Sequence, residues 1–291
     1  MIAAELPNRR TEAWKYSDLR AAFGDGRPAM AGDGDVIERL AAAAGRTDAS
    51  TVAPGKSDVF VHYLDGEGFQ PSAETINVGA GGVYHRILIQ TGPELQLNFC
   101  RVTLGAGATF RQFVLAEGGK LARIETHVSV EGEGAQIELN GLYMCDAGRH
   151  ADMTSVIEHK AGAGQTRQLI KGVARKGGRG VFQGKIVVER GAQKTDARQY
   201  HHGMLLEDGA EIFAKPELLI HADDVQCAHG NTAGGLDETA LFYMRSRGVP
   251  EAQARALLIE SFLGETLPGW APPDVLEEIE GRIRTWLGGA A

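Results

Sequence analysis

Cysteine and long apolar runs are both scarce in this chain, and each shortage closes off a class of protein. The three cysteines, Cys100, Cys145 and Cys227, are odd in number and widely spaced, which argues against a disulfide framework and suits a reducing compartment. They also fall short of the four thiolates that a self-contained four-cysteine cluster site requires. No apolar run nears the roughly 20 residues that cross a bilayer, and the opening "MIAAELPNRRTEAWKY" meets charge too early for a secretory h-region. A cytoplasmic location without a membrane partner is therefore expected. Basic residues are outnumbered, 30 against 38 acidic, for a formal charge of −8, so a general nucleic-acid surface built from clustered Lys and Arg is not expected. Short catalytic signatures are missing too: there is no GxSxG, HExxH or paired CxxC. In "KGVARKGGRGVFQGK" Gly180 and Gly184 enclose three residues where a phosphate loop needs four, and Ile186 stands where that loop has Ser or Thr.

What the chain does have is glycine, 39 residues of it, in a sequence that is 43% hydrophobic and long enough at 291 residues for a large core. Residues 12 to 23 and 35 to 46 show helical apolar spacing, the second stretch ending where Gly45 fits as a C′ glycine. From Val59 the texture changes to short β-branched runs broken by Gly, Ala, Asn and Asp. A Gly-Ala pair follows an apolar run at Gly107, Gly134, Gly162, Gly191 and Gly209, at intervals of 27, 28, 29 and 18 residues. Corners at near-constant period favour a β-solenoid, with a β-sandwich as the rival that the same signals allow. After Gly235 the period becomes helical again: one segment ends at Gly248, a second opens with Pro250 at N1, and a third carries a stripe of Leu276, Ile279, Ile283 and Trp286 or Leu287. That stripe is expected to pack on its own domain. The resulting division is 1–58 N-terminal helical segment, 59–235 β-core and 236–291 C-terminal helical segment.

Chemistry-bearing residues concentrate in "DDVQCAHGNTAGG", residues 223–235. If this stretch is extended, Cys227 and His229 share a face, because side chains alternate along a strand. A thiol and an imidazole together make half of an iron or zinc site; a small core cysteine beside a strand-end histidine is the plainer alternative. Asp223 and Asp224 read as turn residues. His201 and His202 read as surface or corner residues pointing to opposite faces, and Cys100 and Cys145 as core positions.

Three long stretches, "GRGVFQGKIVVERGAQKTDARQ", "AKPELLIHADDVQCAHGNT" and "LFYMRSRGVPEAQARALLIESFL", with "TEAWKYSDL" near the start, resemble the SufD family, subunits of the SufB–SufC–SufD iron–sulfur cluster assembly scaffold. The sister SufB family is less similar at the histidine of "CAHG". The resemblance implies a mainly β fold, a right-handed parallel β-helix between short N-terminal and C-terminal helical segments. It also implies a non-catalytic scaffold role, with a SufB-like partner bound through the β-helix and a SufC-like ABC ATPase bound through the C-terminal helices. A homodimer is the alternative assembly for the isolated chain. His229 is implied as a ligand or contact for a nascent cluster at the partner interface, with Cys227 beside it, and no permanent cofactor is expected. Thiolate and neutral imidazole both suit iron, provided that neighbours lower the Cys227 pKa. The competing class is a carbohydrate-active β-helix enzyme resembling a polysaccharide lyase, which would need acids clustered with Arg or Lys along an open groove.

Overall fold

Short β-branched runs separated by tight corners fold into fourteen strands in the computed structural model, which describes residues 6–288. The strands fall into two parallel sheets. The first sheet contains β1 (Thr47–Val52), β3 (Gln70–Val78), β5 (Leu95–Leu104), β7 (Leu121–Val130), β9 (His150–His159), β11 (Arg179–Val188) and β13 (Glu211–Ile220). The second contains β2 (Ser57–Leu64), β4 (Val83–Gln90), β6 (Thr109–Ala116), β8 (Gln136–Cys145), β10 (Gln165–Ala174), β12 (Asp196–Leu205) and β14 (Gln226–Gly234). Successive strands alternate between sheets, and each pairs in parallel with the strand two places on: Gln70 faces Gln96, and Arg179 faces Glu211. One circuit thus lengthens from 26 to 32 residues along the chain. This is a β-solenoid; all-parallel ladders exclude the antiparallel sandwich.

The corners explain why the glycine period fails at its last step. Gly107 N–H donates to the Glu133 carbonyl at 2.8 Å, Gly134 N–H to Gly162 at 3.0 Å, and Ala163 N–H to Gln193 at 2.8 Å, so these corners stack on one edge. Gly209 lies on the opposite edge, where Gly148 N–H donates to Gly177 and Gly177 N–H to Gly209. The interval of 18 residues therefore mixes two corner columns. Gly107 and Gly134 have φ of 62° and 72°, a left-handed turn that a Cβ disfavours.

Inside the solenoid, identical positions of successive circuits stack into columns. Ile76, Val102, Val128, Ile157 and Ile186 follow one another in register, and all are buried. Each such side chain contributes roughly 1.5–3 kcal/mol by leaving water. Middle strands such as β5 are buried almost continuously rather than alternately, because both faces of the sheets are covered.

The N-terminal segment covers the outer face of the first sheet. The single helix expected over 12–23 is instead a 3₁₀ turn (Glu12–Trp14) and a short α1 (Leu19–Phe23), capped by Asp18. The break lets Trp14 and Ser17 turn inward onto buried charges described below. Helix α2 (Val36–Ala43) opens with a capping box between Asp35 and Glu38, and Gly45, at φ 66°, follows its C-cap as expected. The first sheet begins at Thr47, before the change of texture at Val59; β1 is an exposed, polar edge strand and lacks the apolar signal of its successors. Helices α3 (Glu238–Ser246), α4 (Glu251–Gly264) and α5 (Pro273–Trp286) follow the last strand. Pro250 is the N-cap of α4, one residue outside the expected N1 position. Ile279 and Ile283 are buried against Ile87, Phe113, Leu115 and Leu142 of the second sheet, so the α5 stripe does pack on its own domain. Among the described residues no helix is long and apolar enough to cross a membrane.

Candidate functional site at the open end of the solenoid

Strands β13 and β14 are the final members of their sheets, and among the described residues nothing pairs with their outer edges. The stretch 226–234 is extended, as expected, and pairs with β12 so that Cys227 lies over Ala197, His229 over Gln199 and Asn231 over His201. Alternation then places Cys227, His229 and Asn231 in one row. Cys227 is half-buried against the interior core, while His229 and Asn231 are exposed where the stack of circuits ends.

The environment of Cys227 does not meet the condition of a lowered thiol pKa. Burial pushes its thiol pKa up; an N–H of Ala197 opposes this, but the Asp196 carboxylate adds to the rise. Among the described residues that N–H is the one lowering influence, so forming the thiolate needs a bound cation or a positive group beyond them. Among the described residues no three His, Cys, Asp or Glu side chains gather into a metal site. Cys227 and His229 are thus two potential metal donors without a third beside them among the described residues. Cys100 and Cys145 are fully buried core residues, as expected, with burial pushing both thiols up to about 12.

Beneath the row lie polar groups that sequence reasoning placed wrongly or missed. His201, expected at the surface or a corner, is fully buried. Tyr143 Oη lies 2.9 Å from its Nε2, Asn231 Oδ1 lies 2.8 Å from its Nδ1, and the Phe182 ring stacks on it at 5.2 Å. Burial lowers its pKa to about 4, so the ring is neutral near pH 7. His202 faces outward and bonds Thr232 at 2.7 Å, so the doublet does diverge to opposite faces. Gln199, also fully buried, donates to the carbonyls of Gly184 and Glu217, and its Oε1 lacks a partner among the described residues. Asp223 and Asp224 occupy the corner between β13 and β14; Asp224 N–H donates to Gln193 Oε1 at 2.9 Å and its carboxylate pairs with Lys194. The stretch around Gly180 and Gly184 is strand β11, with no phosphate loop.

Two buried arginines also escaped the sequence reading. Arg86 forks onto Glu74 at 2.7 and 3.0 Å inside the solenoid and reaches Gln112 and Asn98. Arg123 lies on the outer face of the first sheet between Asp152 and Glu125, both 2.7 Å away, with Trp14 stacked over its guanidinium at 4.1 Å. Ser17 donates to Asp152, and Gln183 donates to the Ala13 carbonyl at 3.4 Å. Trp14 and Ser17 of "TEAWKYSDL" are therefore anchors that hold the N-terminal segment across the sheet. The phase of the strands held a clue, since Arg86 falls between the inward positions Tyr84 and Leu88.

Against this geometry, the profile described as SUF system FeS cluster assembly, SufBD core domain matches residues 41–262. The chain belongs to the SufBD family. It is 32% identical over 234 residues to the iron-sulfur cluster assembly protein SufD of Escherichia coli, covering 80% of this chain and 55% of that protein. Protein ABCI7, chloroplastic, of Arabidopsis thaliana is 36% identical over 176 residues, 60% of this chain and 37% of that one. SufD of Bacillus subtilis is 30% identical over 162 residues, 51% of this chain and 37% of that one. The chain spans about half the length, or less, of these relatives. In this SufBD-family chain the matched region contains Cys227, His229 and the whole solenoid, whereas α5 lies beyond it.

Proposed function

We propose that this chain is a non-catalytic scaffold subunit in iron–sulfur cluster assembly, acting in the cytoplasm. It pairs with a SufB-like subunit through the open end of the β-helix, and Cys227 and His229 supply its share of the ligands to a transient cluster at that interface. The observation that carries this reading is the placement of an incomplete ligand pair on the terminal, unpaired circuit. A parallel edge offers main-chain donors and acceptors to a second sheet, and Leu219 and Ile220 of β13 stand more than 40% exposed beside it. Ligands missing from one chain are naturally supplied across such a contact.

A SufC-like ABC ATPase docks on the C-terminal helices, where Phe242 of α3 is 71% exposed and Tyr243 59%. Aromatic side chains this exposed suit a protein contact. ATP-driven movement of the docked subunit passes through α3 to α5 into the last circuits and opens the interface around His229.

The polysaccharide-lyase reading needs an open, charged groove on a solenoid face. Here the N-terminal segment lies across the first sheet from α2 to the Lys215 contact with Glu12, and α4 and α5 lie on the second. That covering favours the scaffold.

Co-purification from the native host separates the readings: a scaffold brings down an ABC-type ATPase and a homologous β-helix chain, whereas a lyase or a purely homodimeric protein brings down neither. His229→Ala should leave folding and complex formation near normal while abolishing cluster assembly. Full assembly activity in that variant sinks the ligand role.

A further inference from the structure

The row on β14 contains a third polar side chain, and its orientation is set from inside the solenoid. Tyr143 is fully buried, and burial raises its pKa well above 10, so its hydroxyl keeps its proton. Among the described residues His201 Nε2 is the one side-chain partner within reach of that hydroxyl. Tyr143 therefore donates to Nε2, and the neutral imidazole carries its proton on Nδ1. Nδ1–H donates in turn to Asn231 Oδ1 at 2.8 Å. This use of the oxygen leaves Asn231 Nδ2, with two N–H donors, free of any side-chain hydrogen bond among the described residues.

Tyr143 itself cannot shift to escape this arrangement. A Cβ placed on Gly172 would fall 1.9 Å from its ring, and one on Gly180 2.0 Å, so two glycines, on β10 of its own sheet and β11 of the other, cradle the phenol. The stacked Phe182, nearly parallel at 4°, holds His201 in the same way. Asn231 sits two residues beyond His229 on the same face, with Cα atoms roughly 7 Å apart. That separation brings a donor from Asn231 to the edge of whatever anionic group His229 holds.

We propose that Asn231 is a positioning residue of the half-site, whose amide N–H groups hydrogen-bond a sulfide of the nascent cluster, oriented by the Tyr143–His201 relay. This rests on the reading of His229 as a cluster contact. Hydrogen bonds to cluster sulfur raise its reduction potential and slow its loss, so the effect lies in cluster stability and electronics more than in loading.

The test uses the native complex of this chain with its partner subunits, loaded anaerobically with ferrous iron and sulfide. Asn231→Ala and Asn231→Asp should load as wild type does, yet lose iron to a chelator about tenfold faster, the factor that roughly 1.4 kcal/mol makes. Their midpoint potentials should fall, most in the Asp variant, which adds negative charge while keeping the acceptor for His201. Asn231→Ser, retaining one donor, should recover part of the loss. Tyr143→Phe should move both readouts in the same direction with an intact fold by circular dichroism. Chelator lability and potential equal to wild type in both Asn231→Ala and Asn231→Asp overturn the proposal, and wild-type values in a folded Tyr143→Phe overturn the relay. Full loading of the His229→Ala complex instead overturns the ligand reading, while a tenfold change in Asn231→Ala still places the cluster against Asn231.

Discussion

Replacing Arg123 with methionine should destabilise the fold by about 3–5 kcal/mol near neutral pH, and the loss should shrink as pH falls. Arg123 is fully buried between Glu125 and Asp152, also buried. Methionine fills much of the volume, so the main effect is to strand two carboxylates away from water, and removing one partner of a buried ion pair costs roughly 3–5 kcal/mol. The pKa of Glu125 gives an independent figure. Burial alone would raise it, but Arg123 and then the His127 contact bring it down to about 2. Relative to an unfolded glutamate near 4.5, that difference is worth about 3 kcal/mol at neutral pH. In the wild type this contribution is fully present above pH 4.5 and is lost as pH falls towards 2. In the variant desolvation acts without Arg123, the folded pKa of Glu125 rises, and protonation at mildly acidic pH favours the folded state. Urea midpoints between pH 7.5 and 5 should therefore converge for the two proteins. A variant within about 1 kcal/mol of wild type at pH 7, or a gap independent of pH, would refute this account of the buried pair.

Gly172→Ala should lower the melting temperature markedly, because the new Cβ would overlap the Tyr143 ring; overpacking of this kind typically costs 1–3 kcal/mol or more, and Tyr143→Phe would not relieve it, since the clash is with ring carbons. In the isolated chain Cys227 should react with iodoacetamide more slowly than a free thiol at pH 8, because burial and Asp196 raise its pKa, and Asp196→Asn should speed the reaction. A rate at or above that of free cysteine would show that the thiol is activated. Cys100 and Cys145 should stay unmodified until the protein unfolds.

Much of the fold and the shared face of Cys227 and His229 were legible in the chain because both depend on local pattern. Cys227 and His229 share a face as soon as residues 226–234 are extended, and extension follows from alternation and flanking corners. The same local reasoning failed at His201, whose neighbours in sequence gave no hint that Tyr143, 58 residues away, and Asn231, 30 residues away, would bond its two nitrogens. It failed at Arg123 too, where Trp14 arrives from far along the chain to exclude water. Whether neighbours would lower the Cys227 pKa could not be read locally either, because the sign depends on Asp196 and on burial against the interior.

Glycine corners, β-branched runs and alternation act over a few residues, so local pattern was enough to set the solenoid, its helical flanks and a Cys-x-His pair sharing one face. Which polar groups lie inside, which column each corner joins, and the position of the pair on the last unpaired circuit were settled by the assembled fold. Those outcomes depend on register, the stacking of residues 26 to 32 positions apart, and register is a property of the whole set of circuits.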